Sequence, residues 1–274
     1  MSKLLIVGGC SNTDPNWPSY RSNNITMWPE LISKELGIEV LNTSKVGSSN
    51  DRICNMIMDA VIDNQDRDLL VMILWSSHNR LNIFDEDYFV KPTTKASSLT
   101  LYGYNQYKLV EYTTEYMREE YTYDKHKIFD IDKDVLNYNL RAIWKLNNFL
   151  KERNIEFYQV QAFSLVNHII WMGPFFEDEK LSFKEKEFQK EREAKLIEYA
   201  PTNRYFDESY FTTQHWRNNS LFLEDSSMVI GKDDYHPNQI GQEWLANTFM
   251  LLSESKFTPQ SLCDRTSIVD FVYD

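Results

Sequence analysis

The run LLVMILW at residues 69–75 has no polar residue on either of its alternating faces. A segment of that length and character reads as a strand buried on both sides, the mark of a central strand in a parallel sheet. A second run, KLLIV at residues 3–7, ends at once in Gly8 and Gly9, as a buried parallel strand does on meeting a functional turn. Between the two lie a helix over Trp28–Leu36 stopped by Gly37, a strand at 38–42 (IEVLN), and a helix from Asp51 to about Asn64. The last of these puts Ile53, Met56, Ile57, Ala60 and Val61 on one face, and Ser49 or Asn50 could cap it. Strands alternating with helices call for a parallel sheet covered on both faces, hence an α/β chain of three layers, α/β/α.

Residues 10–25 read as a polar loop, and residues 80–130 lose all periodicity, which marks an insertion at the carboxyl edge of the third strand. A helix over Val135–Arg153 follows, with an apolar stripe of Leu136, Leu140, Ile143, Trp144, Leu146 and Leu150, and then a fourth strand over Ile155–Ala162. A second irregular region spans 163–225 and contains the charged stretch 180–200, whose Glu/Lys spacing suits a solvated helix or, alternatively, a lid over substrate. Residues 227–230 are a weak strand candidate, Pro237 opens a last helix to about Glu254, and a tail occupies 257–274. No repeat or linker divides the chain, so one domain is expected over residues 1–274.

The net charge of −12 repels a phosphate backbone, and no basic stripe offsets it, so neither nucleic acid nor an anionic membrane is an expected partner. No apolar run has the length of a membrane span, and the first strand begins too early for a signal peptide. The three cysteines, Cys10, Cys54 and Cys263, have neither zinc spacing nor an even count. Cytoplasmic synthesis is the simplest expectation, with no metal. The 16 Tyr, 16 Phe and 7 Trp suit a filled core or a carbohydrate groove.

Two motifs carry chemistry. Near the end stands Asp233-Asp234-Tyr235-His236-Pro237-Asn238. An acid three residues before a histidine, in one tight turn, lets the carboxylate Asp233 hold one imidazole nitrogen and leaves the other as a base. Near the start, strand one runs into Gly8-Gly9-Cys10-Ser11-Asn12-Thr13. Ser11 then sits where open parallel sheets place their ligands, and its N–H is available to an oxyanion. A phosphate nest is disfavoured, because the loop lacks a dinucleotide fingerprint and the P-loop lysine.

The two motifs, in this order and at opposite ends, resemble those of the SGNH/GDSL hydrolase superfamily. Gly9-Cys10-Ser11 resembles its nucleophile block with Cys10 in place of aspartate, and residues 42–50 (NTSKVGSSN) resemble its second block, with Gly47 as the oxyanion-hole glycine. Asp233 and His236 match the last block, and HPNQIGQ resembles the run that follows it. The opening G-C-S-x-T and the run SSNDRI resemble a divergent branch common among tailed-phage proteins. The third block departs from the pattern: strand three ends Trp75-Ser76-Ser77-His78-Asn79-Arg80 instead of G-x-N-D. Ser76 or Ser77 could supply a hydroxyl there, or Asn79 an amide.

The resemblance implies a flavodoxin-like strand order and a serine esterase without metal or organic cofactor. Ser11, Asp233 and His236 would form the triad, and the N–H groups of Ser11 and Gly47, aided by Ser76, Ser77 or Asn79, the oxyanion hole. Cys10, Asn12, Trp75, His78 and Arg80 are candidate pocket residues. Trp75 equally suits the core, and Cys10 equally suits a small buried position. The implied partner is a short acyl ester, for instance an acetyl group on a carbohydrate. The altered third block keeps a rival open: a catalytically degenerate binding or structural module, such as a phage virion component, with assembly into a homo-oligomer or virion.

Overall fold

The computed structural model describes residues 3–76, 82–83, 99–100, 125–162, 191, 194–196, 198–206, 226–231 and 234–253. Strands β1 (Lys3–Gly8), β2 (Glu39–Asn42) and β3 (Asp68–Trp75) alternate with helices α1 (Pro18–Ser22), α2 (Trp28–Leu36) and α3 (Asn50–Asp63). Two short strands, β4 (Asn82–Ile83) and β5 (Leu99–Thr100), pair antiparallel. Helix α4 (Lys125–Glu152) leads into β6 (Glu156–Gln161). A hairpin of β7 (Val229–Gly231) and β8 (Asp234–Pro237) precedes helix α5 (Gln239–Ser253).

The main sheet is parallel with order β2-β1-β3-β6, which agrees with the expected three-layer α/β class and strand order. Alternation along the strands splits the core. Leu4, Ile6, Val71, Ile73 and Trp75 face α3 and α4, whereas Leu5, Val7, Leu70, Met72 and Leu74 face α2 and α5. Burying each such aliphatic side chain contributes about 1.5–3 kcal/mol. On the second face the Trp28 and Phe249 rings stack with centroids 4.5 Å apart. The chain turns to opposite sides of β1 to make β2 and β3, so the crevice at the carboxyl ends of β1 and β3 is the switch point where such sheets bind ligands.

Several local expectations agree with the structure. Helix α2 ends at Gly37, whose φ of 63° is the left-handed conformation that glycine adopts without strain. Ser49 is the cap of α3: its side chain accepts from Arg52 N at 3.2 Å.

Other elements depart from the sequence reading. Residues 18–22 of the expected loop form α1, opened by a proline at its first position. Helix α4 starts ten residues before Val135, inside the expected insertion, because three lysines and three aspartates over 125–134 obscure its stripe. The last helix starts at Gln239, not at Pro237. Asn238 takes the cap, its Oδ1 accepting from Gly241 N at 3.1 Å, and Pro237 ends β8 opposite Val229. Gly8 and Gly9, which precede the functional turn, do not have positive φ. They supply space: a Cβ on Gly8 would lie 2.3 Å from Ile57 Cδ1, and one on Gly9 2.3 Å from Thr13 Oγ1.

Of the charged stretch 180–200, the described part pairs Lys195 with Glu191 at 2.8 Å on its exposed side, while Leu196 and Ala200 are buried in the α3/α4 core. The tail 257–274 lies outside the described residues. Among the described residues no helix is long and apolar enough to cross a membrane.

Candidate active site

The loop after β1 is built from local bonds. Thr13 N and Asp14 N both donate to Cys10 O at 3.0 Å, which makes a tight helical turn through Ser11 and Asn12. Asp14 is buried and satisfied: Oδ1 accepts from Asn16 N and Nδ2 at 2.9 and 2.8 Å, and Oδ2 accepts from Val46 N at 2.9 Å. Asn42 Nδ2 donates to Thr13 O at 2.9 Å. The loops after β1 and β2 are thus held as one piece, and Gly47 sits in the second with φ of 74°.

Ser11 is 4% exposed and Cys10 fully buried. Neither the amide nor the hydroxyl of Ser11 makes a hydrogen bond to a described residue, His236 included. The Ser11 hydroxyl is not among the buried side-chain groups left without a partner, so it stands available at the crevice. Catalytic hydrogen bonds are often long without substrate and close in the complex.

His236 arrives from β8. Because side chains of a strand alternate, Asp234 and His236 project to the same side. Asp234 Oδ1 lies 2.6 Å from His236 Nδ1 and also accepts from His236 N at 3.1 Å. Burial alone would raise the Asp234 pKa, but bonds from the Ser19 and His236 side chains, the His236 N–H and the nearby imidazole together draw it below its ordinary value. An ionised Asp234 favours the proton on Nδ1 and leaves Nε2 to accept one. Asp233, the carboxylate that the motif singles out, lies outside the described residues.

Three side chains outside the motifs connect the loop to this pair. Trp17 stacks on the His236 ring with centroids 4.0 Å apart and 29° between planes, and its Nε1 donates to Asp234 Oδ2 at 3.2 Å. Tyr20 meets the same imidazole edge-on at 6.0 Å. Burial pushes its phenol well above its ordinary pKa, and the nearby Cys10, Asp234 and Asp14 push the same way, so the hydroxyl stays protonated. Gln242, buried on α5, accepts from Trp28 N at 2.9 Å and donates to Asn12 O at 3.2 Å. One side chain thereby caps α2 and fixes the peptide next to Ser11.

At the end of β3, Ser76 is fully buried. Asn50 Oδ1 accepts from Ser76 N at 2.8 Å, and Asn50 Nδ2 and Gln161 Nε2 donate to Ser76 O at 3.2 and 2.8 Å. Of the two roles open to Trp75, the structure assigns the core: it is fully buried against α3 and α4, with Nε1 donating to Gln159 Oε1 at 2.7 Å. Ser77, His78, Asn79 and Arg80 lie outside the described residues.

A family model described as DUF6071, a family of unknown function, matches residues 9–171, more than half of the chain. The chain belongs to the DUF6071 family. In this family member the matched span holds Ser11, Gly47 and Ser76 and ends before Asp234 and His236. No curated protein matches the sequence.

Among solved structures, a catalytic mutant of Axe2, an acetylxylan esterase from Geobacillus stearothermophilus, aligns with 91% of this chain and 92% of its own at 15% identity and a TM-score of 0.42. An acetyl xylan esterase, AlAXEase, aligns with 90% of this chain and 98% of its own at 12% identity and a TM-score of 0.38.

Sequence reasoning passed over Asp234, Trp17, Tyr20, Asp14, Asn50 and Gln242. For Asp234 a signal was available: had Asp-Tyr-His been read as strand instead of turn, its period of two would have paired residues 234 and 236. The others act across long sequence separations and leave no local pattern.

Proposed function

We propose that this protein is a serine ester hydrolase in which Ser11 is the nucleophile, His236 the general base and Asp234 the carboxylate that orients the base. The 2.6 Å contact between Asp234 Oδ1 and His236 Nδ1, beside a loop whose serine amide and hydroxyl are unengaged, carries this reading. It keeps the SGNH-like assignment of Ser11 and His236 and gives the third role to the neighbour of Asp233. As substrate seats, the Ser11 hydroxyl closes on His236 Nε2. Ser11 Oγ bonds to the ester carbonyl carbon while its proton passes to Nε2. The Ser11 and Gly47 amides hold the resulting oxyanion. Collapse breaks the bond to the leaving alkoxide, which takes the proton from His236. Water, deprotonated by the same imidazole, then releases the acid and restores Ser11. The expected substrate is a short acyl ester such as an O-acetyl group on a carbohydrate, in keeping with the aromatic content of the chain.

The test is labelling by a fluorophosphonate together with hydrolysis of p-nitrophenyl acetate. Wild type is expected to label at Ser11 and turn over. Ser11→Ala is expected to abolish labelling and lower kcat by about 10³-fold or more, and Asp234→Asn to lower kcat by about 10⁴-fold at unchanged fold. Asp233→Asn, expected to be milder than Asp234→Asn, separates the two acids. Absence of labelling in folded wild type overturns the reading.

A second reading rests on the missing Ser11–His236 hydrogen bond and the wholly buried Ser76. In it the fold binds a glycan, for instance on a phage virion, without cleaving it. Binding of acetylated oligosaccharide without turnover would favour it.

A further inference from the structure

The His236–Asp234 pair is touched by one side chain of the opposite loop in two different ways. The indole of Trp17 covers one face of the imidazole at 4.0 Å, and its Nε1–H occupies Asp234 Oδ2, the carboxylate oxygen that His236 does not use. With Tyr20 at the ring edge, the imidazole cannot turn about its outer bond without displacing the indole. Trp17 is itself held: its N donates to Asp14 O at 3.1 Å, and the Asp14 carboxylate is anchored to the β2 loop through Val46 N. Asp234 Oδ1 accepts from His236 Nδ1 and N, Oδ2 accepts from Trp17 Nε1, and the Ser19 side chain donates as well, so the carboxylate is held as an acceptor and favours the proton on Nδ1.

We propose that Trp17 is a positioning residue for the base, setting the ring plane and the tautomer of His236 from the same loop that carries Ser11. The role rests on the hydrolase reading for its kinetic consequence and on geometry alone for its effect on the imidazole. Because the indole is fixed in the nucleophile loop, the distance between the two halves of the site and the orientation of the base are set together. A merely structural tryptophan would stabilise the loop and leave the tautomer unchanged.

The experiment compares wild type, Trp17→Phe and Trp17→Ala by ¹⁵N–¹H long-range correlation at His236, with thermal unfolding as the check on folding. Wild type is expected to show a single Nδ1–H tautomer with a downfield proton. Trp17→Phe, which keeps a stacking ring and loses the donor, is expected to retain the tautomer with a shifted Nδ1–H resonance. Trp17→Ala is expected to mix tautomers and broaden the resonance. In p-nitrophenyl acetate hydrolysis, Trp17→Ala is expected to lower kcat by about 10²-fold with KM little changed, and Trp17→Phe to fall between. An imidazole spectrum unchanged in both folded variants overturns the proposal whatever the activity. An inactive wild type whose His236 signature still depends on Trp17 overturns the hydrolase reading and leaves the positioning role standing.

Discussion

The two covered faces of the sheet are bound to the crevice by different means. On the α3/α4 face the packing is apolar, with Trp75 among its aliphatic side chains, and Asn50 reaches from it to the backbone of Ser76. On the α2/α5 face, buried Gln242 ends on the peptide beside Ser11, and Asn238 ties the hairpin carrying Asp234 and His236 to the start of α5 through Met228 O, Ser227 O and Val229 O. The candidate nucleophile and base are therefore both held from one face, and the end of β3 from the other. Packing on the first face sets stability, whereas packing on the second sets stability and site geometry together.

Gly241→Ala tests the second face most severely. A Cβ there would stand 2.4 Å from Met228 O and 2.9 Å from Pro237 Cβ, and the first of these is backbone that cannot step aside. A loss of about 3 kcal/mol or more is expected by denaturant unfolding, with the proposed hydrolytic activity per folded molecule reduced as the hairpin shifts. Gln242→Ala is expected to cost about 1–3 kcal/mol by leaving Trp28 N and Asn12 O without their partner, and to lower kcat. Gly8→Ala probes the first face. The crowding falls on Ile57 and Ile53 side chains, which can yield, so about 1–2 kcal/mol of stability should go while activity per folded molecule is preserved. If Gly8→Ala lowers kcat as much as Gln242→Ala does, the division between the faces is wrong.

Acid titration sharpens the same contrast. The Asp234 pKa is depressed by folding, so its contribution to stability is full above the ordinary carboxylate range and is lost as pH falls through the lower folded value. The difference in melting temperature between wild type and Asp234→Asn should therefore shrink at low pH. Lys3→Ala removes the exposed pair with Glu156 at 2.8 Å, outside the crevice, and is expected to cost under about 1 kcal/mol with no change in activity.

The parallel sheet was legible because its strands are apolar runs: residues 69–75 and 3–7 declare burial on both faces without reference to anything distant. Gly37 and Ser49 mark helix ends for equally local reasons. The candidate site was legible in Ser11 and His236, since both stand in short motifs beside element ends. The hairpin was not, because strands of three and four residues are too short to show a period, and Pro237 looks like the start of a helix until Asn238 takes the cap. Gln242 and Asn50 were illegible for a deeper reason. Each is an ordinary polar residue on an amphipathic helix, and its partners lie 230 and 26 residues away in sequence.

The grip of Asn50 on Ser76 bears on how such a chain can change over evolutionary time. A side-chain amide that pairs with both the N–H and the C=O of one residue imitates the edge of another strand. With Gln161 as a second donor to that carbonyl, β3 is terminated by its own scaffold. The segment after Ser76 then need not contribute to ending the strand, so it is free to lengthen, shorten or exchange its sequence with the crevice wall left in place. Variation among relatives should concentrate there, with Asn50 and Gln161 as the pair that makes it tolerable.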